Sequence, residues 1–319
     1  MPLDPRAQRL LSMVAAASPG GRERPSPEER RQSLAKLMQF SRNDVGAVTS
    51  QDAHFSGPAG PLRYRLYTPV DDTIDADVPR PGFVYFHGGG LVAGSVDTHD
   101  RVAAALAAAS KCRLISIDYR LAPEHKFPAA FEDAIAAVCF AVDHASPLGI
   151  DPDRIVVGGD SAGATLATAV CQHLSSTARF RIAAQCLICP VLDFSRTWPS
   201  RERFGTGHLI DTATWQADLA DCLPDGTDLH DGRVSPLCRA DLSGLPPTII
   251  HTAEFDPMRD EGNAYAARLA GTGVTVAHVC HDGMVHNFHA LGALLPQAKP
   301  ALELIGRQIL SLVHASAPG

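Results

Sequence analysis

What most narrows the folds open to this 319-residue chain is a repeated alternation of short apolar runs with helical stretches. The runs are GFVYF (82–86), CRLISIDY (112–119), RIVVGG (154–159), AAQCLIC (183–189), PTIIHTA (247–253) and VTVAHVC (274–280). Between them lie DRVAAALAAAS (100–110), AAFEDAIAAVCFAVDH (129–144), GATLATAVCQHL (163–174) and NAYAARLAG (263–271). Strands rich in Val and Ile that alternate with helices imply a mostly parallel sheet covered on both faces. The class is α/β, and sites are expected at the carboxyl ends of the strands.

The chain is long enough for one large α/β domain or two modest ones. Its 45% hydrophobic and 20% charged residues are ordinary for a soluble protein. With 28 Lys+Arg against 35 Asp+Glu and no basic stripe, nucleic acid is not expected as a partner. No apolar run approaches the length of a membrane span. Near the start, Arg6 and Arg9 before LLSMVAAA faintly imitate a signal peptide, but the apolar block is short and Asp4 dilutes the positive end. An amphipathic helix and a cytoplasmic protein are the expectation, with a secreted form as the alternative. Eight cysteines show no framework spacing. Cys186 and Cys189 form a C-x-x-C, but inside an apolar run ending at Pro190, so buried free thiols are expected rather than a redox pair.

PSPEERRQSLAKLMQF (25–40) opens with a helix start: Ser26 to cap, Pro27 at the first helical position and Glu29 to complete a capping box. Leu34, Leu37 and Met38 then share a face, and the mixed charges from Arg22 to Arg31 read as a solvated face. This helical piece, to about residue 50, looks separate from the rest of the chain. From Leu62, apolar Leu62, Tyr64 and Leu66 alternate with Arg63 and Arg65, as in a half-exposed strand. From Ser195 to about Arg233 the alternation breaks into a polar, irregular interval with one helical piece near TATWQADLADCL, expected as an insertion over the sheet.

Gly159-Asp160-Ser161-Ala162-Gly163 is a G-x-S-x-G. Alone the pattern is weak, but RIVV before it and ATLATAV after it supply the strand–turn–helix setting of a nucleophile elbow. The bend is tight enough that a Cβ at either flanking glycine is expected to strike the adjoining strand or helix. In FHGGG, Gly88, Gly89 and Gly90 directly follow a strand, so their N–H groups, with that of Ala162, are candidate donors to an oxyanion. No Lys-Ser/Thr follows, so the loop is not a phosphate-binding P-loop. His87 is expected to brace the loop.

A serine needs a base, and the base an orienting acid. Asp256 lies about three residues past the run ending at Ala253, and His286 follows VTVAHVC, before another helix. Both fall on the edge that carries Ser161, in the order Ser, Asp, His. Asp260 and Glu261 are rival acids, expected to be exposed or capping; His281 and His289 are rival bases.

HGGGLVAGSVDTHD, DYRLAPEHKFPAA, GDSAG, SPLCRADLSGLPP, AEFDPMRDEG and GMVHNF, together spanning His87 to Phe288, resemble the hormone-sensitive-lipase-like family of α/β-hydrolases, the bacterial family IV esterases of the GDSAG type. That resemblance implies an eight-stranded, mostly parallel sheet under a helical cap, with residues 1–50 and 195–235 as cap and 51–194 and 236–319 as core. It implies Ser161, Asp256 and His286 as nucleophile, acid and base, with oxyanion donors from the glycine loop and Ala162. The expected activity is a serine carboxylesterase on short-to-medium acyl esters, a small-molecule substrate handled with neither metal nor cofactor. Edge-strand pairing into a homodimer occurs in the family. Three positions depart from its pattern: Leu91 for an aromatic, Lys126 for a proline and Asn287 for a glycine. Asp160 and the segment Asp118 to His125 are expected to be structural. An amidase or lactone hydrolase of the same fold is the alternative. A non-catalytic receptor is disfavoured, because gibberellin receptors, which resemble the family, lack the histidine that this chain keeps.

Overall fold

The structure, a computed structural model, describes residues 2–17, 25–42, 46–71, 78–177 and 181–315. Its strands are β1 Val48–Gly57, β2 Gly60–Pro69, β3 Arg80–Phe86, β4 Arg113–Ile117, β5 Ile150–Asp160, β6 Ala184–Ile188, β7 Thr248–Phe255 and β8 Val276–Val285. They form one sheet in the order β1-β2-β4-β3-β5-β6-β7-β8. β1 and β2 run antiparallel, β2 meets β4 antiparallel, and every other pairing is parallel. The helices are α1 Pro5–Ala17, α2 Pro27–Met38, α3 Asp100–Ser110, α4 Ala129–Asp143, α5 Ala145–Leu148, α6 Ala162–Ser175, α7 Pro199–Phe204, α8 Thr212–Cys222, α9 Arg259–Gly271 and α10 Ala298–Ala315.

Period-two burial splits each central strand between two cores. In β3, Val84 and Phe86 join Phe131 and Val138 of α4, Leu166 and Val170 of α6 and Tyr265 of α9. Phe83 and Tyr85 face the other side, with Leu106 of α3 and Leu302, Ile305 and Ile309 of α10. Ala7 and Leu10 of the amphipathic α1 bury in that second core. No helix among the described residues is long and apolar enough to cross a membrane.

The apolar runs and the strands agree, with informative differences. β1 lacks the sequence signal because it is an edge strand whose Thr49 to Asp52 are exposed. β7 continues to Phe255, so Asp256 follows it directly, and β8 continues to Val285. The short α5 and α7 add two helices to those read from the pattern, and α10 is the helix that follows His286. Cys186 lies within β6 and Cys189 just past it, both buried and free. Burial pushes the Cys186 thiol up to about 12, which leaves no thiolate for disulfide exchange.

Charges within α2 depart from expectation. The capping box forms, with Glu29 N–H donating to Ser26 Oγ (3.2 Å) and Ser26 N–H to Glu29 Oε2 (2.8 Å). Arg30, however, is buried and forks between Asp218 and Asp221 of α8. Arg31 donates to the carbonyls of Val92 (2.9 Å) and Ala122 (3.1 Å) and to Glu124 (2.6 Å). The end of the charged stretch is therefore a contact face, because its partners come from residues 61 to 191 positions away. Residues 22–24 of that stretch lie outside the described residues.

Glu261 also differs from expectation. It is fully buried, accepts from the N–H groups of Leu192 (2.8 Å) and Asp193 (2.7 Å), and pairs with Arg201 of α7 (2.8 Å). Asp260 accepts from Ser200 N–H (2.9 Å) at the start of α7. Both carboxylates thus tie α7 to α9.

Candidate active site

β5 ends at Asp160 and α6 begins at Ala162, which leaves Ser161 alone to turn the chain. Its backbone takes φ 51° and ψ −120°, a conformation L-residues avoid and one stored only where neighbours enforce it. The glycines explain how. A Cβ on Gly159 would run into the carbonyl of Phe86, and one on Gly163 into the carbonyls of Phe86 and His87. Strand β3, its following loop and the start of α6 therefore touch backbone to backbone. Ser161 N–H is held by the Ile188 carbonyl (2.9 Å), and the hydroxyl makes no capping bond to its helix.

That hydroxyl instead meets His286: Oγ to Nε2 is 3.0 Å. Nδ1 of His286 lies 2.8 Å from Asp256 Oδ2. The second oxygen of Asp256 accepts from Met258 N–H (2.8 Å), which fixes the carboxylate plane. All three residues are buried. The sequence placed each after a strand on one sheet edge; the fold brings them into one hydrogen-bonded line.

The rival groups lie elsewhere. Asp260 and Glu261 hold α7. His281 faces His251 at 2.7 Å (Nε2 to Nδ1), and His251 in turn meets Gln308 (2.8 Å). His289 is buried beside Phe288, and burial pushes it down to about 4. His87 stacks on Tyr119 with ring centroids 4.4 Å apart, while the Tyr119 hydroxyl donates to the His87 carbonyl (2.7 Å). With burial pushing its pKa down to about 4, His87 is a neutral brace for the glycine loop.

One expected oxyanion donor is removed by its own neighbours. Gly88 N–H donates to Asp160 Oδ1 (2.9 Å), which also accepts from the Tyr85 hydroxyl. A committed N–H cannot turn to a ligand, so Gly88 is not free to donate, and Asp160 ties the glycine loop to the elbow. The N–H groups of Gly89, Gly90 and Ala162 make no hydrogen bond among the described residues. Gly89 (φ 123°) and Gly90 (φ 66°) hold the backbone where only glycine rests without strain.

The departures from the family pattern have local causes. Asn287 sits at φ 52°, ψ 25°, the left-handed region in which Asn is the best substitute for glycine. Lys126 donates to the Ala220 (3.2 Å) and Leu223 (3.1 Å) carbonyls at the end of α8, where a cation complements the helix dipole. Leu91, at φ 60°, packs at the edge of the core.

Cys189, Asp256 and His286 are the one His/Cys/Asp/Glu group among the described residues close enough to share a metal ion. Two of the three are already bonded to each other, and burial pushes the Cys189 thiol well up, leaving S–H rather than a thiolate ligand.

Residues 83–290 match the family described as alpha/beta hydrolase fold. The chain belongs to that family. An arylesterase of Saccharolobus solfataricus is 34% identical, over 90% of this chain and 92% of its own. An ethyl acetate hydrolase of Pseudomonas putida is 33% identical, over 96% and 98%. Among solved structures, an ester hydrolase from the metagenome of Lake Arreo superposes with TM-score 0.92 at 38% identity, covering 99% of this α/β-hydrolase and 100% of that chain. An esterase of the archaeon Pyrobaculum calidifontis gives 0.90 at 34%, covering 99% and 100%. The resemblance carried by the GDSAG and HGGG motifs thus extends over nearly the whole α/β-hydrolase chain.

Proposed function

We propose that this α/β-hydrolase is a serine carboxylesterase for short-to-medium acyl esters, with Ser161 as nucleophile, His286 as base and Asp256 as orienting acid. The observation that carries the reading is the continuous line Ser161 Oγ–His286 Nε2–His286 Nδ1–Asp256 Oδ2, at 3.0 and 2.8 Å. His286 takes the hydroxyl proton as Oγ attacks the ester carbonyl, and Asp256 stabilises the imidazolium. The tetrahedral oxyanion is received by N–H groups of Gly89, Gly90 and Ala162, each such donor being worth about 3 kcal/mol. His286 then protonates the departing alcohol, and water repeats the sequence on the acyl-enzyme. The relatives' names, arylesterase and ethyl acetate hydrolase, support small esters as substrates. In this reading residues 1–50 and 195–235 cap a core of 51–194 and 236–319. Eight free cysteines suit a reducing cytoplasm.

The test is a chain-length series of activated acyl esters, run beside matched amides and lactones, on wild type and Ser161→Ala. Hydrolysis of short esters is expected, with turnover lowered roughly four to six orders of magnitude in the variant. Near-normal turnover by Ser161→Ala, or faster cleavage of amides or lactones than of esters, would overturn the reading.

A further inference from the structure

α8 lies on the oxyanion loop. A Cβ on Gly90 would collide with the carboxylate of Asp218, so that anion rests against the Gly90 α-carbon. One turn on, the Cys222 thiol donates to the Gly90 carbonyl (3.1 Å). Asp218 and Cys222, four residues apart, thus share the helix face that covers Gly90. Lys126 and the Phe127 N–H, which donates to the Cys222 carbonyl (2.8 Å), hold that end of α8 in place. The backbone that carries Asp218 is therefore fixed against the loop.

A carboxylate here is at odds with ester chemistry. The loop has to receive a developing negative charge, and a neighbouring anion opposes it. The structure supplies the counter-charge: Arg30 of α2 forks between Asp218 and Asp221. Side-chain exposure is only 7% for Arg30, 21% for Asp218 and 17% for Asp221, so water screens these charges poorly.

We propose that Arg30 is a positioning residue for the hydrolytic reaction: it neutralises Asp218 against the oxyanion loop, so that the anionic intermediate forms without an opposing charge. The proposal rests on the esterase reading. The neutral ester feels little of the uncovered carboxylate and the intermediate feels most of it, so the effect falls on kcat rather than KM.

Arg30→Met should lower kcat on a short ester on the order of ten- to a hundredfold with KM within about threefold. Asp218→Asn in that background should recover most of the loss, and Asp221→Asn, further along the helix, much less. Arg30→Lys, which keeps the charge and loses the fork, should keep kcat within about threefold of wild type; it carries the test if Arg30→Met fails to fold. Unchanged kcat in Arg30→Met, equal recovery by the two Asn substitutions, or an Arg30→Lys loss as deep as that of Arg30→Met would overturn the proposal. An esterase reading that failed would show instead as a wild-type protein inert toward esters.

Discussion

Ser161 concentrates the local cost of the site. Its positive φ survives because Gly159 and Gly163 let three backbones meet, and neither tolerates a Cβ. Gly163→Ala presses a methyl into the Phe86 and His87 carbonyls, neither of which can rotate away as a side chain would. We expect it to cost about 3 kcal/mol or more in denaturant unfolding and to lower esterase activity with it. Asn287 tests the same principle more gently, beside the proposed base. Asn287→Gly should leave thermal stability and activity near wild type, whereas Asn287→Val should lower both, since a β-branched side chain fits the left-handed region poorly. At this scale the sequence was highly legible, because G-x-S-x-G states a short-range steric demand. Gly88 was not: its N–H is claimed by Asp160, 72 residues away, and no spacing rule announces that partner.

Elements were legible where burial imposed a period and illegible where partners came from afar. The central strands announced themselves through Val and Ile. β1, polar and at the sheet edge, is held by its ladder to β2 and buries only Phe55, stacked on Phe140. Glu261 and Arg30 carry ordinary surface chemistry in sequence, and each is buried by a partner on another element. The Arg201–Glu261 pair should show its role on removal of one member. Arg201→Met leaves a buried carboxylate with only two backbone donors, at a cost of about 3–5 kcal/mol. Urea denaturation checks the magnitude. Limited proteolysis should find its first new cut between residues 195 and 235, because the pair ties α7 down.

Across the whole molecule, buried imidazoles set the response to acid. Burial pushes His87, His99 and His289 each down to about 4, against roughly 6.5 in an unfolded chain. The folded rings stay neutral while the unfolded ones take up protons first. Stability is therefore full above pH 6.5 and drains as pH falls toward 4, by roughly 3 kcal/mol per ring at most. Melting temperature followed from pH 7.5 to 4.5 should drop steadily below 6.5, and His99→Phe should flatten the decline if the ring is accommodated. A melting temperature that held level across that range would contradict it.

β8 is the sheet's outer strand on its side, and the imidazole follows it. The proposed nucleophile, Ser161, precedes its proposed proton acceptor, His286, by 125 residues. With the triad as proposed, a growing polypeptide whose outer strand has not yet emerged carries the Ser161 hydroxyl without the imidazole that would take its proton. On the proposed assignment, a chain truncated ahead of residue 276 lacks the imidazole and should hydrolyse short esters orders of magnitude more slowly than the full chain, which an esterase assay of that truncation would check.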